Sequence, residues 1–125
     1  MVKGKDEVNS QFIKEIERLK PHEHLCHIYD TPEEWSAAVT AFLITGLRRG
    51  EKCLYVVDTH TADQVRALLH EQGVDVTTAE ASGQLVILHE AKAYTRGGFF
   101  DPDRMIAFLV NAAETAIAEG YHAIR

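Results

Sequence analysis

No stretch of the chain approaches the ~20 consecutive apolar residues that a helix needs to cross a bilayer. The first twenty residues interleave charged and apolar positions and hold neither the apolar run nor the small-residue cleavage site of a secretory signal. The expectation is a soluble, cytoplasmic protein. Cysteine is scarce, with Cys26 and Cys53 the only two. Both lie in apolar, strand-like surroundings, where a thiol in a reducing compartment behaves as a small buried hydrophobe, so no structural disulfide is expected. Basic residues are also in short supply: 13 Lys and Arg stand against 19 Asp and Glu, for a net charge of −6. Binding phosphates needs cations clustered on one face, so direct nucleic-acid binding by this chain is not expected, and action on DNA would need a separate domain. Glycine is missing where nucleotide chemistry would need it. The turn Tyr29-Asp30-Thr31-Pro32-Glu33-Glu34 has neither a Gly-Lys-Ser/Thr sequence nor any glycine, and its carboxylates repel phosphate. A phosphate loop and a GxGxxG dinucleotide loop are both excluded there.

The 125 residues suit one domain with its own core. Val8, Phe12, Ile16 and Leu19 recur at helical spacing, and Pro21 closes the segment, so residues 1–21 form an N-terminal helical unit ahead of a domain over 22–125. His24-Leu25-Cys26-His27-Ile28-Tyr29 reads as a strand. Thr31-Pro32-Glu33-Glu34 starts a helix with a hydroxyl cap, a proline at the first position and a glutamate three residues on. That helix carries Trp35, Val39, Phe42, Leu43 and Leu47 as one stripe and stops at Gly50. The run Lys52 to Asp58 is continuously apolar between its charged ends, as in a parallel strand covered on both faces. A second capping box, Thr61 to Gln64, opens a helix that ends at Gly73. Residues 74–84 are irregular, with at most a helical turn near 79–83. Residues 85–89 form a strand, Arg96-Gly97-Gly98 marks a loop, and Asp101-Pro102 opens a long helix stopped by Gly120. Tyr121 to Arg125 reads as the start of a strand. Strands alternating with helices predict an α/β fold, a three-layer α/β/α sandwich with a mostly parallel sheet and right-handed crossovers. The abrupt end in a strand suggests a piece of a longer domain.

Ligands of open α/β sheets bind beyond the carboxyl ends of the strands. That rule selects Tyr29, Asp30 and Thr31 after the first strand, Asp58, Thr59 and His60 after the second, and His89, Glu90 and Tyr94 after the third. Tyr29, Tyr94, Phe99 and Phe100 could wall an apolar pocket oriented by a few hydroxyls and imidazoles, or could serve packing alone. His22, His24, Cys26 and His27 form the densest group of metal-capable atoms, yet their spacing matches no strong zinc signature; packing with satisfied histidines is the preferred reading, and a metal site from His22, His24 and Cys26 the alternative. Thiol catalysis is disfavoured because both cysteines lie inside expected strands, away from helix starts. Asp58 with His60, or His89 with Glu90, read more readily as cap and strand-end residues than as acid–base pairs. No enzymatic activity and no cofactor are expected.

The segments His24-Leu-Cys-His-Ile-Tyr-Asp30, Leu47-Arg-Arg-Gly-Glu-Lys-Cys-Leu-Tyr-Val-Val-Asp58 and Tyr94-Thr-Arg-Gly-Gly-Phe-Phe-Asp-Pro-Asp103 together resemble the MEDS domain, the methanogen/methylotroph sensory domain. The resemblance runs from about His22 to Arg125. It implies a RecA/KaiC-like fold without its phosphate loop, and a sensory module for simple hydrocarbon derivatives. Its implied partners are a small-molecule ligand and an effector of helix-turn-helix, histidine-kinase or anti-sigma-antagonist type, with association into homodimers allowed. The ligand-facing residues expected are His24, His27, Tyr29, Asp58, His60, His89 and Tyr94. Gly98 and Asp101 also match the family pattern around the glycine loop.

Overall fold

A computed structural model describes residues 5–57, 59–89, 95–96 and 98–125. The N-terminal helix α1 spans Lys5–Glu17 and buries Ile16 completely. Thr31 then caps α2 (Pro32–Arg48): its hydroxyl accepts from Glu34 N at 3.2 Å, and Pro32 supplies a first turn that needs no N–H. Strand β1 (Cys53–Val57) follows. The box at Thr61 forms as its sequence requires: Gln64 N donates to the Thr61 hydroxyl at 3.2 Å while Thr61 N donates to the Gln64 side chain at 2.7 Å, starting α3 (Ala62–Glu71).

Asp75 opens a short α4 (Val76–Ala81), where the sequence predicts at most a turn. Its carboxylate accepts from Thr78 N at 3.1 Å and Thr78 Oγ1 at 2.8 Å, bonds that hold the Asp75 pKa below its ordinary value. Strand β2 (Leu85–His89) comes next, then a minimal hairpin of β3 (Thr95–Arg96) and β4 (Phe99–Phe100). The long α5 (Pro102–Ala118) closes the order, its first N–H groups donating to Asp101.

The sheet is parallel, as expected, but narrow. β1 and β2 pair in register from Cys53↔Leu85 to Val57↔His89. The segment at the C-terminus adds a parallel bridge, Lys52↔Ile124, with Leu54 N donating to Arg125 O at 2.7 Å. Residues 24–29 form no strand, which corrects the first strand read from the sequence. Their strand-like composition is real, yet a strand exists only through a hydrogen-bonded neighbour. Here the segment instead runs beside α1 and α2, leaving Leu25 and Ile28 exposed. The described sheet is therefore two-stranded with one flanking bridge, in a mixed α/β fold.

Alternation along β1 and β2 divides their side chains between two faces. Cys53, Val57 and Leu85 join Trp35 and Leu43 of α2 and Val65 and Leu69 of α3 in the core, while Leu54, Val86 and Leu88 point to the α5 side. Leu43, Cys53, Val65 and Leu69 are wholly excluded from solvent. Two arginines tie α1 to this body. Arg49 donates to the carbonyls of Leu19 (2.7 Å) and Glu17, and Arg125 reaches the Leu19 carbonyl at 3.5 Å. The final turn of α1 thus ends on side-chain donors.

Burial pushes the Cys53 thiol up to about 12 from an ordinary 9.0; the Arg125 charge acts downward and Glu51 upward. The fold favours the neutral thiol. Its contribution is fully present below pH 9.0 and is lost as pH rises towards about 12. Between pH 9 and 11 the wild-type melting temperature is therefore expected to fall faster than that of Cys53→Ala. At pH 8 a thiol reagent should titrate exposed Cys26 at once and Cys53 only on unfolding. Equal reaction of both thiols in the native protein would contradict the core described here.

Candidate functional site

Trp35 lies in the first turn of α2, only 8 % exposed, with a cavity on either side of it. Its place follows from the local sequence: Thr31 and Pro32 fix where the helix begins, and three residues later the indole turns inward with Ala38, Val39 and Phe42. The first cavity, about 370 Å³, lies between α1, α2 and the segment before α2, and Ile16, His24, His27, Tyr29, Trp35 and Phe42 are among its walls. The second, about 460 Å³, lies between the start of α2 and α3, with Trp35, Ser36, His60, Gln64 and Leu68 among its walls.

Aromatic contacts connect the walls. The His60 imidazole lies flat on the Trp35 indole, ring centroids 3.6 Å apart and planes within 9°. On the other side Phe12 of α1 stacks on His27 at 4.5 Å, and His27 on Tyr29 at 5.8 Å. The Phe12–His27 stack holds the irregular segment 24–29 against α1 without a backbone ladder. The first cavity is mainly apolar, with imidazoles, a phenol and the Glu23 carboxylate at its edge. Such a lining suits a small, weakly polar molecule held by contact and a few hydrogen bonds.

A scan of family models then matches residues 23–125 to MEDS, described as the MEthanogen/methylotroph, DcmR Sensory domain. The chain belongs to the MEDS family. No curated protein and no solved structure matches it. The MEDS match covers the lining of both cavities apart from Ile16 of α1 and Leu19 just after that helix, which lie before it.

Of the residues expected at the MEDS ligand site, His24, His27 and Tyr29 come together at the first cavity, and His60 joins them through Trp35. His89 stands apart at the exposed end of β2, opposite Val57, and lines neither cavity. Asp58 and Tyr94 lie outside the described residues. The alternative metal set is not assembled: His22 (φ 75°), His24 and Cys26 are exposed, and among the described residues no three His, Cys, Asp or Glu side chains converge. Without strand pairing, nothing forces His24 and Cys26 onto one face. Among the described residues no helix is long and apolar enough to cross a membrane.

Two residues of this site escape the sequence reading. Trp35 reads there as one more member of a core stripe, although its place in the first turn of a helix that follows the candidate segment is the available signal. Phe12 has no such signal, because its partner His27 is reached only through the tertiary fold.

Proposed function

We propose that this MEDS domain is a sensor that binds a simple hydrocarbon derivative in the cavity beside Trp35 and releases it unchanged. The observation that carries this reading is the sharing of one buried indole by two cavities, with His24, His27, Tyr29 and His60 gathered around it. Occupancy of the first cavity presses on α1 and α2 together. A ligand that prefers one spacing of those helices shifts the population towards it, and an effector of helix-turn-helix, histidine-kinase or anti-sigma-antagonist type would read the shift. The finer fold belongs to the same reading: a cytoplasmic, RecA-like three-layer sandwich without a phosphate loop, supported by the parallel pairing of β1 with β2 and of Lys52 with Ile124.

Trp35 is the only tryptophan, so its emission reports on the site directly. The test is a titration with one-carbon and short-chain halides, alcohols and amines, followed by indole emission and by thermal melting. At 100 times Kd a ligand specific for the folded state adds about 2.7 kcal/mol, a shift of several degrees for a domain of this size. Tyr29→Phe and His27→Ala are expected to weaken binding about ten-fold or more, and gas chromatography should recover the ligand intact. Absence of any emission or melting change across the series, or consumption of the compound, counts against the proposal.

A further inference from the structure

We infer that the opposite face of the sheet carries a second site, for an apolar molecule with an anionic head such as a medium-chain carboxylate. A cavity of about 440 Å³ separates α5 from the strands. Leu54, Val86, Leu88 and Ile124 form its floor, and Phe108 and Ala112 of α5 form its roof. This volume lies within the range of small-molecule sites, about 300–1,000 Å³. The cavity shares no lining residue with either space beside Trp35.

The polar groups in it are placed unequally. Thr115 Oγ1 donates to Asn111 Oδ1 at 3.0 Å, which pairs the hydroxyl with the amide oxygen. Lys52 Nζ donates to both oxygens of Glu119 at 2.7 and 2.8 Å, which neutralises that end. Arg104, in the first turn of α5, has no side-chain partner among the described residues. Asp101 accepts from the N–H groups of Asp103 and Arg104, and neither acid lines the cavity. Among the described residues the cavity therefore has an apolar length and one uncompensated cation. Arg104 and Thr115 are eleven residues apart on α5, about 16 Å along its axis, room for an extended alkyl chain whose carboxylate meets the guanidinium.

The test is isothermal calorimetry with octanoate and, as the uncharged comparison, octanol. Octanoate is expected to bind the wild type, to bind Arg104→Gln at least ten-fold more weakly, and to leave Trp35 emission unchanged at saturation. Octanol should bind the wild type and Arg104→Gln equally. Ala112→Phe, which fills the roof, should abolish octanoate binding; if that variant does not fold, Arg104→Gln decides alone, because the Arg104 side chain makes no ion pair or hydrogen bond among the described residues. No octanoate binding at millimolar concentration, equal affinity in Arg104→Gln, or binding that perturbs Trp35 overturns the inference. The sensor proposal rests on Trp35 emission with small neutral compounds, so either proposal can fail without the other.

Discussion

Glu51→Leu is expected to remove about 3–5 kcal/mol, the usual cost of breaking a buried ion pair from one side, out of a total near 5–15 kcal/mol for a domain. The Glu51 and Arg125 side chains are each 5 % exposed. Arg125 Nε and Nη2 donate to Glu51 Oε1 at 3.2 and 3.1 Å, and Nη2 also reaches Oε2 at 3.3 Å. The Phe42 ring covers the guanidinium at 4.9 Å, and Nη1 is buried without a partner among the described residues. Removing the carboxylate thus leaves a cation with neither water nor counter-charge. Urea unfolding should show a lower midpoint, and Glu51→Leu combined with Arg125→Met should recover most of the loss, because an apolar pair of similar size is often as stable as the ion pair it replaces. A loss below about 1 kcal/mol in the single variant would mean that the Arg125 charge reaches solvent after all.

Gly46→Val is expected to cost about 3 kcal/mol, at the upper end of overpacking, even though valine suits a helix interior better than glycine. Gly46 is buried in α2 and faces Cys53 of β1 and Arg125 of the C-terminal segment. A Cβ there would sit 2.6 Å from Cys53 Sγ and 2.7 Å from Arg125 Cδ. Neither neighbour can step aside freely, since Cys53 is wholly buried and Arg125 is fastened to Glu51. The cost should shrink when Arg125 is shortened to alanine in the same chain. An unchanged urea midpoint for Gly46→Val would show that α2 can move off the sheet at little expense.

Both effects depend on contacts between residues far apart in sequence, and this separates what was legible from what was not. The boundaries of α2, α3 and α5 are written locally, in Thr31, Thr61 and Asp101, because a cap acts within three residues. The Asp75 cap was equally local, but six residues of α4 give too short a period to recognise. β1 and β2 were readable from continuous apolar runs. Residues 24–29 carry the same chemistry and yet form no ladder, since side-chain pattern says which groups seek burial and leaves open what buries them. The candidate site divides the same way. His24, His27, Tyr29 and His60 followed from the rule about strand ends, although for the first three the strand itself is absent. Their convergence on Trp35 and Phe12 needed the packing of α1 on α2, which no local pattern encodes.

The carbonyl of Leu19 receives donors from Arg49, at the end of α2, and from Arg125, beside the outermost bridge of the sheet. Leu19 meanwhile lines the same cavity as Trp35. A swelling of that cavity therefore strains a coupling rod anchored at two distant points, and the N-terminal helix cannot lift without tugging on both.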